Sequence, residues 1–154
     1  MPAVLFVCLG NICRSPLAEA ALRLKATERG LNFEIDSAGT GDWHVGAAPD
    51  RRAQAVARRH GVDISAYRAR QVTVQDFRHF THVVALDTQN LAALRALQPA
   101  DARAELTLLL DHVPGRQGQA VADPYYGEDA GFDQTWADVT TGAHGLLDQL
   151  VGRR

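Results

Sequence analysis

Short apolar runs alternating with amphipathic stretches set the layout of this chain. Val4-Leu5-Phe6-Val7 is unbroken and rich in β-branched and aromatic residues, which predicts a strand buried on both faces. Residues 16–29 place Leu17, Ala21 and Leu24 on one helical face, with Gly30 as the stop. Phe33-Glu34-Ile35-Asp36-Ser37 alternates and predicts a second strand. Pro49 to His60 reads as a helix ended by Gly61, and Thr73-Val74-Gln75-Asp76 carries a capping signature for a short helix near Phe77 and Phe80. His82-Val83-Val84-Ala85-Leu86-Asp87 predicts a third strand, Leu91, Leu94 and Leu97 a helix, and Glu105 to Leu110 a fourth strand. A long helix from Phe132 to Val151 closes the chain, with Trp136, Val139, Leu146, Leu147 and Leu150 inward. Strands alternating with helices throughout predict an α/β fold with a parallel sheet and helices on both faces.

Two stretches depart from that alternation. Residues 38–46 are glycine-rich and irregular, and their Trp43 reads equally as a satellite-core residue or as the wall of a binding cleft. Residues 111–131 hold no convincing element, and an irregular run of that size in a compact domain is usually a functional loop. It contains Asp123-Pro124-Tyr125-Tyr126. Loops that follow parallel strands gather at the carboxyl edge of the sheet, so Asp123 is within reach of the first such loop, although Asp before Pro is also a common turn.

That first loop carries the chemistry. Cys8 and Arg14 close a Cys-x5-Arg segment, and Ser15-Pro16 has the grammar of a helix start, Ser as N-cap and Pro at the first helical position. A loop of that size feeding a helix N-terminus aims backbone N–H groups at one spot, with the helix dipole behind them. Such a spot binds an anion and favours the thiolate form of a cysteine at its mouth. Arg14 adds a planar fork suited to two phosphate oxygens. Gly10 and Asn11 are residue types that readily take φ > 0, as a tight cradle requires. These parts fit thiolate attack on the phosphorus of a monoester.

Bulk properties narrow the setting. At 154 residues the chain is expected to form one domain, and its 46% hydrophobic and 22% charged residues are those of an ordinary globular protein. A net charge of -2 makes no case for nucleic acid or an anionic membrane as partner. The local cluster Arg51, Arg52, Arg58, Arg59, Arg68 and Arg70 reads better as a solvated helix face than as a docking surface for acidic substrates. Neither a signal peptide nor a stretch near the ~20 apolar residues of a membrane span is visible, which sets a cytoplasmic expectation. The two cysteines, Cys8 and Cys13, share the opening loop and suit catalysis or redox chemistry better than a structural staple. The six histidines show no ligand-like pairing, so no metal or other cofactor is expected.

Cys8-Leu9-Gly10-Asn11-Ile12-Cys13-Arg14-Ser15, Asp36-Ser37-Ala38-Gly39, Asp42-Trp43-His44-Val45-Gly46, Ala69-Arg70-Gln71 and Asp123-Pro124-Tyr125-Tyr126-Gly127 together closely resemble the low-molecular-weight protein tyrosine phosphatases. The resemblance spans nearly the whole chain in the family's order and spacing. It implies a four-stranded parallel sheet in three layers, flavodoxin-like and of the phosphotyrosine phosphatase I type, as a single domain over 1–154. It also implies metal-independent, two-step hydrolysis of protein phosphotyrosine. On that resemblance Cys8 is the nucleophile and forms a phosphocysteine. Arg14 and the amides of Leu9, Gly10, Asn11, Ile12, Cys13 and Ser15 hold the phosphoryl group. Asp123 protonates the leaving phenolate and then, as carboxylate, helps water attack the intermediate. Ser15 would hydrogen-bond the Cys8 thiolate, while Asn11 and Ser37 would hold the loop in shape. Trp43 and Tyr125, with Leu9 and Ile12, would line a slot for a phenyl ring. Cys13 resembles the second loop cysteine that forms a protective, reversible disulfide with the nucleophile. The implied partners are a phosphotyrosine protein, a cognate tyrosine kinase among the candidates, and inorganic phosphate as product.

One position departs from the family. Tyr67 stands where many members carry a histidine that braces the loop asparagine and contacts two acids. Glu19 and Asp36 match those acids and are expected to lose a cationic partner, since a tyrosine hydroxyl can donate a hydrogen bond but cannot offset charge. Alternative readings are weaker. Thioredoxin-coupled arsenate reductases need further cysteines, and phosphoarginine phosphatases look to carry threonine where this loop has Ile12. A non-catalytic phosphotyrosine-binding module needs neither Cys8 nor Asp123. A nucleotide-binding α/β domain lacks its G-x-G-x-x-G here.

Overall fold

The apolar runs become β1 (Ala3–Cys8), β2 (Glu34–Gly39), β3 (His82–Ala85) and β4 (Glu105–Leu108) in a computed structural model that describes residues 1–152. Residues 153 and 154 of the expected domain lie outside the described residues. The strands form one sheet in the order β2-β1-β3-β4, with every neighbouring pair parallel. All six residues of β1 are buried, as the unbroken apolar run requires of a central strand covered on both faces.

Alternation along β1 divides the core. Val4, Phe6 and Cys8 belong to the cluster beneath α1 (Arg14–Glu28), α2 (Arg51–Arg59) and α5 (Ala130–Val151). Ala3, Leu5 and Val7 belong to the opposite cluster, beneath α3 (Val74–His79) and α4 (Thr88–Leu97). Helices therefore cover both faces, as expected. From β1 the chain moves first to one side of the strand and later to the other. The point where strand order reverses is thus the carboxyl end of β1, where open α/β sheets place their ligands. Cys8 is the last residue of that strand.

Several element ends differ from expectation, each for a local reason. Ser15 lies inside α1 rather than capping it; Cys13 is the N-cap and makes no side-chain capping bond. The Ser15 hydroxyl is taken up by Cys8 and Asn11 instead, a tertiary use that overrides the local signal. β3 stops at Ala85, because Asp87 leaves the strand to cap α4 by accepting the Asn90 N–H at 2.7 Å. Leu109 and Leu110, expected in β4, form a 3₁₀ turn over Leu109–His112 that packs them into the core below α5. Of the two residues expected at φ > 0 in the first loop, only Asn11 adopts it, at 58°. Helix α2 is shorter than expected and is capped by Asp50, which accepts the Arg52 N–H at 2.8 Å. The capping signature at Thr73 holds, with the Thr73 N–H donating to Asp76 at 2.8 Å. From the end of the 3₁₀ turn to Ala130 the chain is irregular, matching the loop expected over 111–131. Among the described residues no helix is long and apolar enough to cross a membrane.

Candidate active site

A cavity of about 330 Å³ opens at the carboxyl end of β1, lined by Cys8, Leu9, Gly10, Ile12, Cys13, Arg14, Trp43, His44, Asp123, Tyr125 and Tyr126. Its floor is the loop between β1 and α1. The carbonyls of Cys8 and Leu9 accept the amides of Thr40 and Gly41, both at 2.9 Å, and that of Ile12 accepts the Asp50 amide at 2.8 Å. With these three carbonyls satisfied behind it and the N-terminus of α1 at its end, the loop offers an anion N–H groups and a favourable dipole.

Buried side chains hold the loop from below. The Cys8 Sγ lies 3.0 Å from the Ser15 Oγ. Asn11 donates from its amide nitrogen to Ser15 at 2.8 Å and to Ser37 at 3.0 Å, and its amide oxygen accepts the Arg70 N–H at 3.0 Å. Ser37 donates from its own hydroxyl to Glu19 at 2.7 Å. The left-handed backbone at Asn11 thus places one amide side chain where it serves three partners at once.

Behind this chain the acids expected to lack a cation have one each. Arg23 donates to Glu19 at 2.8 and 3.1 Å, and Arg70 donates to Asp36 at 3.2 Å and to Asp76 at 3.0 and 3.1 Å. Arg23 also donates to the Ile35 carbonyl. So Tyr67 does not replace the charge of a histidine; two arginines supply it. Burial keeps the Glu19 carboxyl above the ordinary carboxylate range against the pull of Ser37 and Arg23. Burial, then the Glu19 charge, pushes the Tyr67 phenol up to about 12.

Arg14 is 3% exposed and is aimed from two sides. It donates to Asp87 at 2.7 Å and to the Val121 carbonyl at 2.9 Å. Its other terminal nitrogen lies 3.7 Å from Asp123, which is 39% exposed on the far lip of the cavity. Burial works against the charge of Arg14, but Cys8, Asp87 and Asp123 outweigh it and hold the guanidinium still more firmly protonated. Asp123 accepts the Tyr125 N–H at 3.1 Å, an Asx turn that sets the direction of its carboxyl. Cys13 also borders the cavity; burial first, then the negative charge of Asp50, pushes its thiol well above the usual range.

Trp43 is a cleft wall and not a core residue, 69% exposed and lying over Gly41, where a Cβ would come within 1.8 Å of its ring. Leu9, Ile12 and Tyr125 line the same cavity, so every residue expected at the site converges there except the three supporting residues beneath it, Asn11, Ser15 and Ser37. Asp87, His44 and Arg52 were not foreseen. In the sequence Asp87 falls at the end of an apolar run, His44 has no ligand-like pairing, and Arg52 belongs to a run of arginines with the look of a solvated face. Arg52 and Arg70 are in fact tied into the structure by Asp50 and by Asp36 and Asp76, so the arginine cluster is not one solvated surface. Among the described residues no group of three or more His, Cys, Asp or Glu side chains could hold a metal ion.

Comparison with known proteins agrees with this geometry. The family model for low molecular weight phosphotyrosine protein phosphatase matches residues 3–153. Low molecular weight protein-tyrosine-phosphatase YfkJ of Bacillus subtilis is 41% identical over 152 residues, covering 97% of this chain and 96% of the relative. Its crystal structure matches with a TM-score of 0.90 over 97% of this chain and 94% of that one, at 39% identity. The pig low molecular weight phosphotyrosine protein phosphatase is 40% identical over 152 residues, covering 96% of this chain and 95% of the relative. A drosophila arginine phosphatase matches with a TM-score of 0.91 over 99% of both chains, at 30% identity.

Proposed function

The chain belongs to the low molecular weight phosphotyrosine protein phosphatases, and on that premise we propose how its own residues divide the reaction. Cys8 attacks the phosphorus of a phosphotyrosine ester, forming the S–P bond as the P–O bond to the phenol breaks. The loop amides and Arg14 hold the three peripheral oxygens as charge develops on them. Asp123 gives its proton to the departing phenolate. Its carboxylate then takes a proton from the water that attacks the phosphocysteine, releasing inorganic phosphate and restoring the thiolate. Ser15 donates to the Cys8 sulfur in the resting enzyme, and Trp43 and Tyr125 flank the phenyl ring of the substrate.

The observation that carries this reading is the meeting of Cys8, Arg14 and Asp123 in one cavity, with Asp123 3.7 Å from Arg14. An aryl slot fits the exposed Trp43 and the apolar Ile12 better than a phosphoarginine side chain, although one structural relative carries that activity in its name. The partner is a phosphotyrosine protein, its kinase included, met in a reducing cytoplasm. Under peroxide Cys13 would close a disulfide on Cys8, the peroxide taking up the two electrons.

The test is hydrolysis of an aryl phosphate and of phosphoarginine, with chelator present. Wild type should turn over the aryl ester, Cys8→Ser should be inactive, and Asp123→Ala should lose about 10²–10⁴-fold. Activity lost to peroxide should return with thiol in wild type and not in Cys13→Ser. A wild type that binds phosphate but hydrolyses nothing, or that prefers phosphoarginine, refutes the reading.

A further inference from the structure

Arg52 is an arginine of the cluster whose side-chain contacts lead back to the cavity. Its Nη2 donates to the carbonyl of Tyr125 at 2.9 Å and its Nη1 to that of Gly127 at 3.1 Å. Its Nε and Nη2 hold both oxygens of Asp50, at 3.0 and 3.1 Å. The guanidinium lies 4.6 Å from the centre of the Phe132 ring and 5.8 Å from that of Tyr125. All of its polar contacts therefore fall on two segments. Asp50 belongs to the phosphate loop's side, because its amide is bonded to Ile12. Tyr125 belongs to the acid's side, because its N–H is bonded to the Asp123 carboxyl.

We propose that Arg52 is a positioning residue that sets the distance between the phosphate cradle and the carboxyl of Asp123. The proposal rests on the role assigned to Asp123 above. One rigid fork spans both walls of the site, and no helix or strand does so on the acid's side, since the chain is irregular from the 3₁₀ turn to Ala130. Holding the Tyr125 carbonyl fixes the peptide plane that follows the Asx turn, and with it the rotamer available to Asp123. Lysine cannot take this place, because an ammonium has no planar fork for two carbonyls and a carboxylate together.

A residue that acts through the general acid matters most where the leaving group needs its proton. The experiment measures kcat/KM, which reports the steps through cleavage of the ester, for phosphotyrosine and for a dinitrophenyl phosphate whose leaving group departs unprotonated. Arg52→Met keeps the stem against Phe132 and removes the fork. It should lose about 10²-fold on phosphotyrosine, the scale of a roughly 1 Å misplacement, and under about threefold on the activated ester. Arg52→Lys should recover only part of the loss. In an Asp123→Asn background Arg52→Met should add nothing on phosphotyrosine. The ratio of the two substrates is internal to each preparation, so a partly unfolded variant lowers both and leaves the ratio unchanged. Equal losses on the two esters, or losses at Arg52 and Asp123 that multiply, overturn the positioning role. An Asp123→Asn enzyme that hydrolyses phosphotyrosine like wild type removes the role of Asp123 itself, and the proposal with it.

Discussion

The phosphate loop and the loop bearing Asp123 face each other across one cavity and are held in opposite ways. The phosphate loop rests on Ser15, Asn11, Ser37 and Glu19, all buried, each bonded to the next by its side chain. Remove any one and its neighbours are left with unpaired polar groups in a low-dielectric interior, so the arrangement is overdetermined. The acid's loop has no such foundation. It is pinned where buried Val121 donates its N–H to the Leu86 carbonyl at 2.8 Å, and again where Arg52 takes two carbonyls. Between these points Asp123 stands partly in solvent. The difference follows the chemistry. Donors that must match charge on the transferring phosphoryl group gain from rigidity, whereas a carboxyl that serves a phenolate and then a water must reach both substrate and solvent.

The largest expected effect breaks the rigid side. A Cβ on Gly39 would lie 2.8 Å from the Leu9 oxygen, 3.1 Å from the Gly10 carbon and 3.2 Å from the Asn11 nitrogen, all backbone. Gly39→Ala should therefore displace the cradle and lower kcat/KM about 10²-fold, with phosphate affinity falling alongside. Wild-type kinetics in that variant would mean that the cradle yields easily and the contrast with the acid's loop is false.

A smaller effect belongs to the exposed rim. Trp43→Ala should raise KM for an aryl phosphate by about fivefold and leave kcat within about twofold, as expected when an aromatic wall contributes binding alone. A fall in kcat at constant KM would place Trp43 in the chemistry.

The smallest effect tests the foundation through pH. Folded Glu19 keeps its proton to higher pH than it does in the unfolded chain. Above the ordinary carboxylate range the unfolded state therefore binds fewer protons, and this group's contribution to stability falls as pH rises through that window. Thermal unfolding of wild type and Glu19→Gln from pH 4 to neutrality should show wild type losing ground to the variant as pH rises. Parallel curves would mean that Arg23 and Ser37 fully offset the burial of Glu19.

Much of this was legible along the chain. The buried run before Cys8 marked the central strand, the Cys-x5-Arg spacing marked the anion site, and the glycines at 30 and 61 marked helix ends, both at positive φ. Local signals failed where a side chain had a better partner far away. Ser15 looked like a cap and serves Cys8; Asp87 looked like the end of a strand and aims Arg14. Tyr67 implied a missing charge that Arg23 and Arg70, at separate places in the sequence, restore.

Periodicity and short-range chemistry are written along the chain: which runs are buried, where helices stop, and which loop holds a thiol, an arginine and an anion-binding backbone. Those depend on contacts within a few residues. Which distant groups complete the site depends on the folded arrangement of the sheet and its loops. Asp123 meets Arg14 across 109 positions of chain, Arg52 reaches Tyr125 across 73, and Asn11 meets Ser37 across 26. No periodicity encodes such pairings, because they arise from parallel strands delivering their loops to one edge of the sheet.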